Sequence, residues 1–343
     1  NLRFATILVN ILKALHTFEE LVRASIASAS NDLRLGGNEA PPAIISAFIG
    51  EQLTKTLDEI EGMPSPDGLA KSGSKGAHIS IPKIPEILLD NTDRNCTSPF
   101  AFTGNKFEFR AVGSIANSAK PMTVLNTIVA EQLTQFYEEV KELTDSKMAK
   151  EDAIFSVVKN YIQDSKAIRF EGNSYSEEWK EEAKRRGLSN HGNTPDAIKA
   201  YISDKVVALF EKQNVLTSRE LHARYEIKLD KYVRKVQIES RLIGDLSVNH
   251  IIPTAIKYQN TLIENARGLK DVLDSKTFVK LSRNQIQTIK EISEHVSEIR
   301  QFVEEMTEER KLANKFESEI EKADAYCYKV KPYFDKIRYH VDK

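Results

Sequence analysis

Cysteine is nearly absent from this sequence. Cys96 and Cys327 are the only two in 343 residues, too few for a disulfide framework and, unaided, for a zinc cluster. That scarcity points to a reducing compartment, and a cytoplasmic location is expected. Asn95-Cys96-Thr97 matches the N-glycosylation pattern, but with no other mark of secretion the match is read as coincidence. Net charge is missing too. The 49 Lys and Arg against 50 Asp and Glu leave −1, so no basic excess argues for a nucleic acid partner and no acidic excess for disorder. Long apolar runs are also lacking. Residues 1–28 come nearest, but Asn10, Lys13, His16, Glu19 and Glu20 interrupt them, leaving no run that spans a bilayer. The basic start and small-residue cleavage site of a signal peptide are missing as well. No membrane partner is expected.

What is present is mostly helical pattern. Phe4, Leu8, Ile11, Leu15, Phe18 and Val22 recur on one helical face, with no Gly or Pro before Gly36; one helix is expected to deliver the loop around Arg34. Gly36-Gly37-Asn38 breaks it, and Pro41-Pro42 fits the first turn of a second helix, from Ala43 to about Glu61. Gly62–Ala77 reads as a mobile loop. Its Gly68–Lys75 segment fails as a P-loop, because Lys does not precede Ser after the second Gly and no apolar strand comes before it. His78–Leu89, with Ile79, Ile81 and Ile84 around two prolines, reads as an edge strand or extended segment.

Residues 121–144 are helical in pattern, and beyond about Lys147 charged amphipathic helices dominate. Candidates are Phe155–Ile168, Ser176–Arg186, Pro195–Gln213 (with Thr194 as cap) and Ser218–Leu242. Pro253 is expected to kink or start the helix within His250–Leu269. Ile286, Ile289, Ile292, Val296, Ile299, Val303 and Met306 fall at near-heptad intervals, the pattern of a helix hairpin or short coiled coil. The histidines His191, His222, His250, His295 and His340 show no metal-ligand spacing and read as surface or packing residues. Cys327 reads as a buried thiol, and Trp179 as the residue that packs its helix onto the body.

One stretch differs in kind. Asp93–Gly113, DRNCTSPFAFTGNKFEFRAVG, is rich in Phe and Thr and punctuated by Pro99 and Gly104. Strand alternation puts Lys106, Glu108 and Arg110 on one face and Phe107 and Phe109 on the other. Two cations flanking a carboxylate over an aromatic face make a platform for anionic ligands and a metal. On pattern alone an antiparallel strand with one solvated face is the favoured reading, since alternating charges are common on a surface.

The run RN-x-TSPFAFTGNKFEFR, residues 94–110, is similar to the signature of type III glutamine synthetases. Residues 34–44, RLGGNEAPPAI, resemble that family's RLGxNEAPPAI, and Arg169–Ser176, Arg186–Asn190 and His250–Gly268 also fit it, in order along nearly the whole chain. The resemblance implies an α+β, predominantly helical fold. Residues 1–146 would be the C-terminal part of a catalytic domain with few antiparallel strands. Residues 147–343 would be a family-specific helical region ending in the hairpin.

It further implies ATP-dependent ligation of ammonia to glutamate through γ-glutamyl phosphate, with Mg2+ or Mn2+ on the phosphates, in a homo-oligomeric ring of hexamer or dodecamer type. Arg34 and Arg110 would bind the glutamate substrate, since the planar fork of Arg meets a carboxylate with two bonds. Glu39 would be the flap glutamate that holds or deprotonates ammonium, Glu108 a metal ligand, and Lys106 a cation against the ATP phosphates. Read without the family, Arg34 serves as well as a helix C-terminal cation, Glu39 as a solvated turn residue, and Glu108 as a strand-face partner of Lys106 and Arg110.

Family members also carry an N-terminal β-grasp domain, upstream strands with the remaining metal-binding residues, and a C-terminal tail. The chain opens in helical pattern without Met, so a portion of a longer enzyme, inactive alone, is expected. The rival expectation is a catalytically degenerate helical scaffold or assembly subunit, with the Gln285–Met306 stripe as its interface. One position departs from the pattern: Cys96 stands where the family has an Arg that neutralises phosphate charge, and a thiol cannot do this. With that charge uncompensated, turnover is expected to fall by about two orders of magnitude or more. Cys96→Arg is therefore expected to restore ATP-dependent glutamine synthesis; no gain in turnover would refute the reading of that position.

Overall fold

A computed structural model of the chain describes residues 2–36, 41–63, 98–113 and 117–343. Helices dominate it and one three-stranded sheet accompanies them, the predominantly helical α+β class expected. The chain packs as two compact units, Asn1–Tyr225 and Glu226–Lys343.

In the first unit the N-terminal apolar stripe forms two helices, α1 (Leu2–Thr17) and α2 (Glu19–Ile26). The single helix expected is broken at Phe18, whose φ of −127° and ψ of 31° lie outside the helical region. A 3-10 turn at Asn31–Leu33 then presents Arg34. The helix expected from Ala43 does not form. Pro41 and Pro42 lead into extended chain, strand β1 is Ala47–Phe48, and helix α3 (Glu51–Gly62) starts only after Gly50, at φ +89°. Ala43, Ile44, Ile45, Ala47, Phe48 and Ile49 are all buried. Such a run suits a strand covered on both faces rather than an amphipathic helix.

No local side chain caps α3. Glu171 does so instead, accepting hydrogen bonds from Ile49 N (3.2 Å), Gly50 N (3.0 Å) and Thr54 Oγ1 (2.9 Å), which places a negative charge at the positive end of the helix.

The signature stretch folds as strands β2 (Phe100–Phe102) and β3 (Phe107–Phe109). They pair antiparallel, Phe100 opposite Phe109, Ala101 opposite Glu108 and Phe102 opposite Phe107. Gly104, at φ +99°, sits in the turn between them. Beyond the antiparallel pairing expected, β1 adds to β2 in parallel, so the sheet is mixed. The register gathers four phenylalanines on one face. Phe100 stacks on Phe107 with ring centres 4.9 Å apart, Phe102 lies 5.2 Å from Phe107, and Phe4 of α1 meets Phe102 edge-on at 5.9 Å. Such contacts add to what burial supplies.

Helices α4 (Ala119–Asp145) and α5 (Lys150–Asp164) pack against α1. The helix expected over 155–168 stops at Asp164, where a 3-10 turn at Lys166–Ile168 takes over. Helix α6 (Glu177–Arg185) is capped by Ser176. Its Trp179, 1% exposed, stacks on Phe170 with ring centres 3.6 Å apart.

The helix expected over 195–213 is two, α7 (Thr194–Ile198) and α8 (Asp204–Lys212), parted by a 3-10 turn and the extended backbone of Ser203. Asn193, not Thr194, caps α7, accepting from Asp196 N at 3.0 Å; the Thr194 hydroxyl is engaged elsewhere. The expected segment at residues 78–89, and all but the first two residues of the loop expected at 62–77, lie outside the described residues.

Helix α9 (Ser218–Leu246) contains the boundary between the units. In the second unit a π-helical turn, Ser247–Ile251, precedes α10 (Ile252–Val272), with Pro253 in its first turn. These segments follow one another without a break, so Pro253 lies in continuous helix, and the π turn directly ahead of it is where the regular hydrogen bonding is interrupted. The heptad stripe lies on α11 (Ser275–Ala313), capped by Asp274 and packed against α10 as the expected hairpin. Gln259 and Gln285 bridge the two helices, donating to Ile289 O and Leu262 O, each at 2.7 Å. Helix α12 (Glu319–Ala325), a second π turn at Tyr326–Val330 that buries Cys327, and α13 (Pro332–Val341) complete the unit. Among the described residues no helix is long and apolar enough to cross a membrane.

Trp179→Ala is expected to cost about 3–5 kcal/mol, the range for emptying a buried aromatic site. Chemical denaturation of wild type and variant checks this; a loss below about 1 kcal/mol would mean that the Phe170 stack does not hold α6 in place.

Candidate functional site

The outer face of β3 brings three of the sequence-predicted residues together. Glu108 opposes Ala101, away from the phenylalanine face. Its Oε2 accepts from Arg110 Nη2 at 3.0 Å and Nε at 3.3 Å, and its Oε1 lies 3.7 Å from Lys106 Nζ. The Arg110 hydrogen bond, helped by the charges of Arg110 and Lys106, holds the Glu108 carboxyl below the usual carboxylate value. Glu108 is partly exposed and Lys106 largely so, so both can meet a solvent-borne ligand.

Arg34 is the fourth member. Its Nη2 donates to the Arg110 backbone carbonyl oxygen at 2.8 Å, bringing the Arg34 side chain to the end of β3. Beneath them Ile26, Leu35, Ala43 and Ala111 form an apolar cluster, with Phe109 and Val112 against it. Glu39 and Cys96 lie outside the described residues.

The turn that carries Arg34 is held by residues that the sequence reading did not single out. Arg23, fully buried in α2, donates from Nε to His191 O (3.0 Å) and from Nη1 to Asn31 Oδ1 (3.1 Å), and reaches Asp32 Oδ1 at 3.5 Å. Burial draws its guanidinium below the ordinary value, and Asp32 opposes this. Asp32 in turn accepts from the Thr194 hydroxyl at 2.7 Å and from Thr194 N at 3.0 Å. Asn31 Nδ2 donates to Ala111 O at 2.9 Å.

Nearby, Glu19 accepts from Ser189 N (2.9 Å) and Oγ (2.7 Å), and Asn190 Oδ1 accepts from Ala43 N at 3.0 Å. Gly36 N donates to Pro41 O at 2.8 Å. Gly36 sits at φ +87°, and a Cβ there would stand 2.7 Å from the Gly192 Cα, so this close backbone approach requires glycine. The available signal was Arg23 set between the apolar Leu21-Val22 and Ala24, with Asn-Asp just ahead of Arg34.

A hard divalent cation takes carboxylate oxygens, and Glu108, kept ionised and half-exposed, fits that chemistry as one ligand. Among the described residues no group of three or more His, Cys, Asp and Glu gathers into a complete metal set. Two histidines that the sequence reading left apart do meet: His295 and His340, in the second unit, have their Nδ1 atoms 2.9 Å apart.

Comparison with known proteins adds a second line. The model of the glutamine synthetase C-terminal domain matches residues 153–270. Over the whole chain the sequence is 48% identical to a glutamine synthetase of Bacteroides fragilis (strain YCH46), covering 47% of that protein. It is 35% identical to a type-3 glutamine synthetase of Dictyostelium discoideum, covering 46%. A glutamine synthetase of Butyrivibrio fibrisolvens is 31% identical and covered over 47%. The chain spans about half the length of these curated relatives.

Because its folded-state value is lowered, Glu108 contributes stability that is present above the ordinary Glu pKa and is lost as pH falls through the lowered value. Carbon-13 NMR titration is expected to show Glu108 ionising below the ordinary glutamate range, and Arg110→Ala to move it upward. An unchanged titration in the variant would mean that Arg110 is not the cause.

Proposed function

We propose, for a chain that belongs to the glutamine synthetase family, that the face of β3 and the Arg34 turn form part of a site where ammonia is ligated to glutamate with ATP. The supporting observation is the cluster itself: Arg34 on the Arg110 carbonyl, and Glu108 between Lys106 and Arg110, on one solvent-facing strand. In the reaction a side-chain carboxylate oxygen of glutamate attacks the γ-phosphorus of ATP, and ADP leaves. Ammonia then attacks the acyl carbon of the resulting γ-glutamyl phosphate, inorganic phosphate leaves, and the nitrogen sheds a proton.

In this reading Arg34 and Arg110 take carboxylate oxygens through charge-assisted hydrogen bonds, fixing glutamate for the attack. Lys106 is suited to the nucleotide phosphates as a mobile point charge. A divalent cation, magnesium or manganese, supplies neutralisation of the phosphate oxygens when bound, and Glu108 would provide one of its ligands. Its pairing with Arg110 keeps the carboxyl charged for that role. Glu39 takes the part of the ammonium-binding flap glutamate, and Cys96 stands at a phosphate-neutralising position it cannot fill. The whole protein, in this reading, works in the cytoplasm as a ring of identical subunits.

The test uses the protein expressed from its native gene, with ATP-dependent glutamine formation as readout. Glu108→Gln is expected to lower turnover by about two orders of magnitude, and Arg110→Ala to raise the KM for glutamate more than that for ATP. No ATP-dependent glutamine formation by either the native protein or its Cys96→Arg variant would sink the reading and leave a degenerate scaffold in its place.

A further inference from the structure

Two hydrogen bonds tie the 3-10 turn at Asn31–Leu33 to the end of β3, at neighbouring residues: Arg34 Nη2 to Arg110 O at 2.8 Å, and Asn31 Nδ2 to Ala111 O at 2.9 Å. The first is made by an exposed arginine. The second is buried. Arg34 N and Leu35 N also donate to Asn31 O, each at 2.9 Å, so the base of Arg34 hangs on Asn31, whose buried side chain is tied to Ala111 O.

The chemistry of the buried position is narrow. The Arg23 guanidinium only donates, and the Ala111 carbonyl only accepts. The residue between them must therefore accept on one arm and donate on the other, and the side-chain amide of Asn31 does both at 3.1 and 2.9 Å. The amide orientation is set by its partners. Arg23 is itself immobile: fully buried, it is anchored through Nε on His191 O, and the neighbouring Asp32 is anchored on Thr194. The turn thus rests on a rigid frame behind and on the strand in front.

We propose that Asn31 is a positioning residue for glutamate. It touches no substrate; its amide sets the separation of the Arg34 and Arg110 guanidinium groups so that together they match one amino-acid substrate with two carboxylates. The inference rests on the proposed reading of those two arginines as the glutamate ligands.

The decisive variant is Asn31→Asp in the protein expressed from its native gene. It keeps size and the acceptor for Arg23 but replaces the donor to Ala111 O with a carboxylate oxygen that repels it. The expected result is a rise of about tenfold or more in the KM for glutamate, as a small misplacement of substrate-holding groups produces, with the KM for ATP and the far-UV circular dichroism unchanged. Trp179→Ala, which destabilises the same unit outside this network, shows what general loss of stability does to the two KM values.

An unchanged glutamate KM in Asn31→Asp, or a parallel rise of both KM values as in Trp179→Ala, overturns the proposal. Should Asn31→Asp not fold, Asn31→Ala is judged by the same rule. Arg34→Ala and Arg110→Ala separate the two levels. If they leave glutamate KM unchanged, the reading of the site fails; if they raise it and the Asn31 variant does not, only the positioning role fails.

Discussion

A guanidinium with no exposure to water is the constraint on which the first unit depends. Taking the charge of Arg23 out of solvent is costly, and the cost is offset only where its donors find well-placed acceptors. They find His191 O, Asn31 and Asp32. The Asp32 carboxylate lies closer to Thr194 than to Arg23, so the charge is stabilised by a network rather than by one ion pair. Meeting these demands brings α2, the turn before Arg34 and the chain entering α7 into one register. Breaking any member leaves a buried donor or charge unsatisfied, which penalises every alternative arrangement.

The outer face of β3 follows a different electrostatic logic. Its groups are partly in water, where individual pairs contribute little to stability. Their arrangement suits ligand exchange: a carboxylate held charged by one arginine, a mobile ammonium across from it, and a second arginine resting on backbone. The rigid part, Arg23 with Asn31 and Asp32, is buried, and the exchangeable part, Lys106, Glu108 and Arg110, is at least partly exposed.

What could be read from the sequence follows from the range of each interaction. The alternation Lys106-Phe107-Glu108-Phe109-Arg110 is a local signal, and the strand formed with the faces it implied. The heptad stripe, the packing role of Trp179 and the buried thiol of Cys327 were equally legible, each depending on side-chain spacing or polarity alone. The break at Phe18 was not, because the apolar period continues through it and the interruption is in the backbone. Ala43–Ile49 misled because a run buried on all sides carries no period, and Pro-Pro reads as a helix start only if a helix follows. Asn193 displaced Thr194 as a cap because the Thr194 hydroxyl was claimed by Asp32, far away in sequence. The Arg23 frame was invisible for the same reason: its partners declare themselves only after folding.

The capping of α3 carries a consequence for how the chain reaches this structure. The helix is 12 residues long, near the length at which isolated helices are marginal in water. The carboxylate that completes its N-terminus belongs to Glu171, 121 positions beyond Gly50. Until the segment carrying Glu171 has docked beside β1, α3 lacks that anchor and its first turn frays. Closing so large a loop costs entropy before any contact returns it, so α3 and β1 belong to the late steps of assembly. During synthesis residues 47–62 leave the ribosome well ahead of their cap, and must wait, without a finished helix, for the chain to catch up.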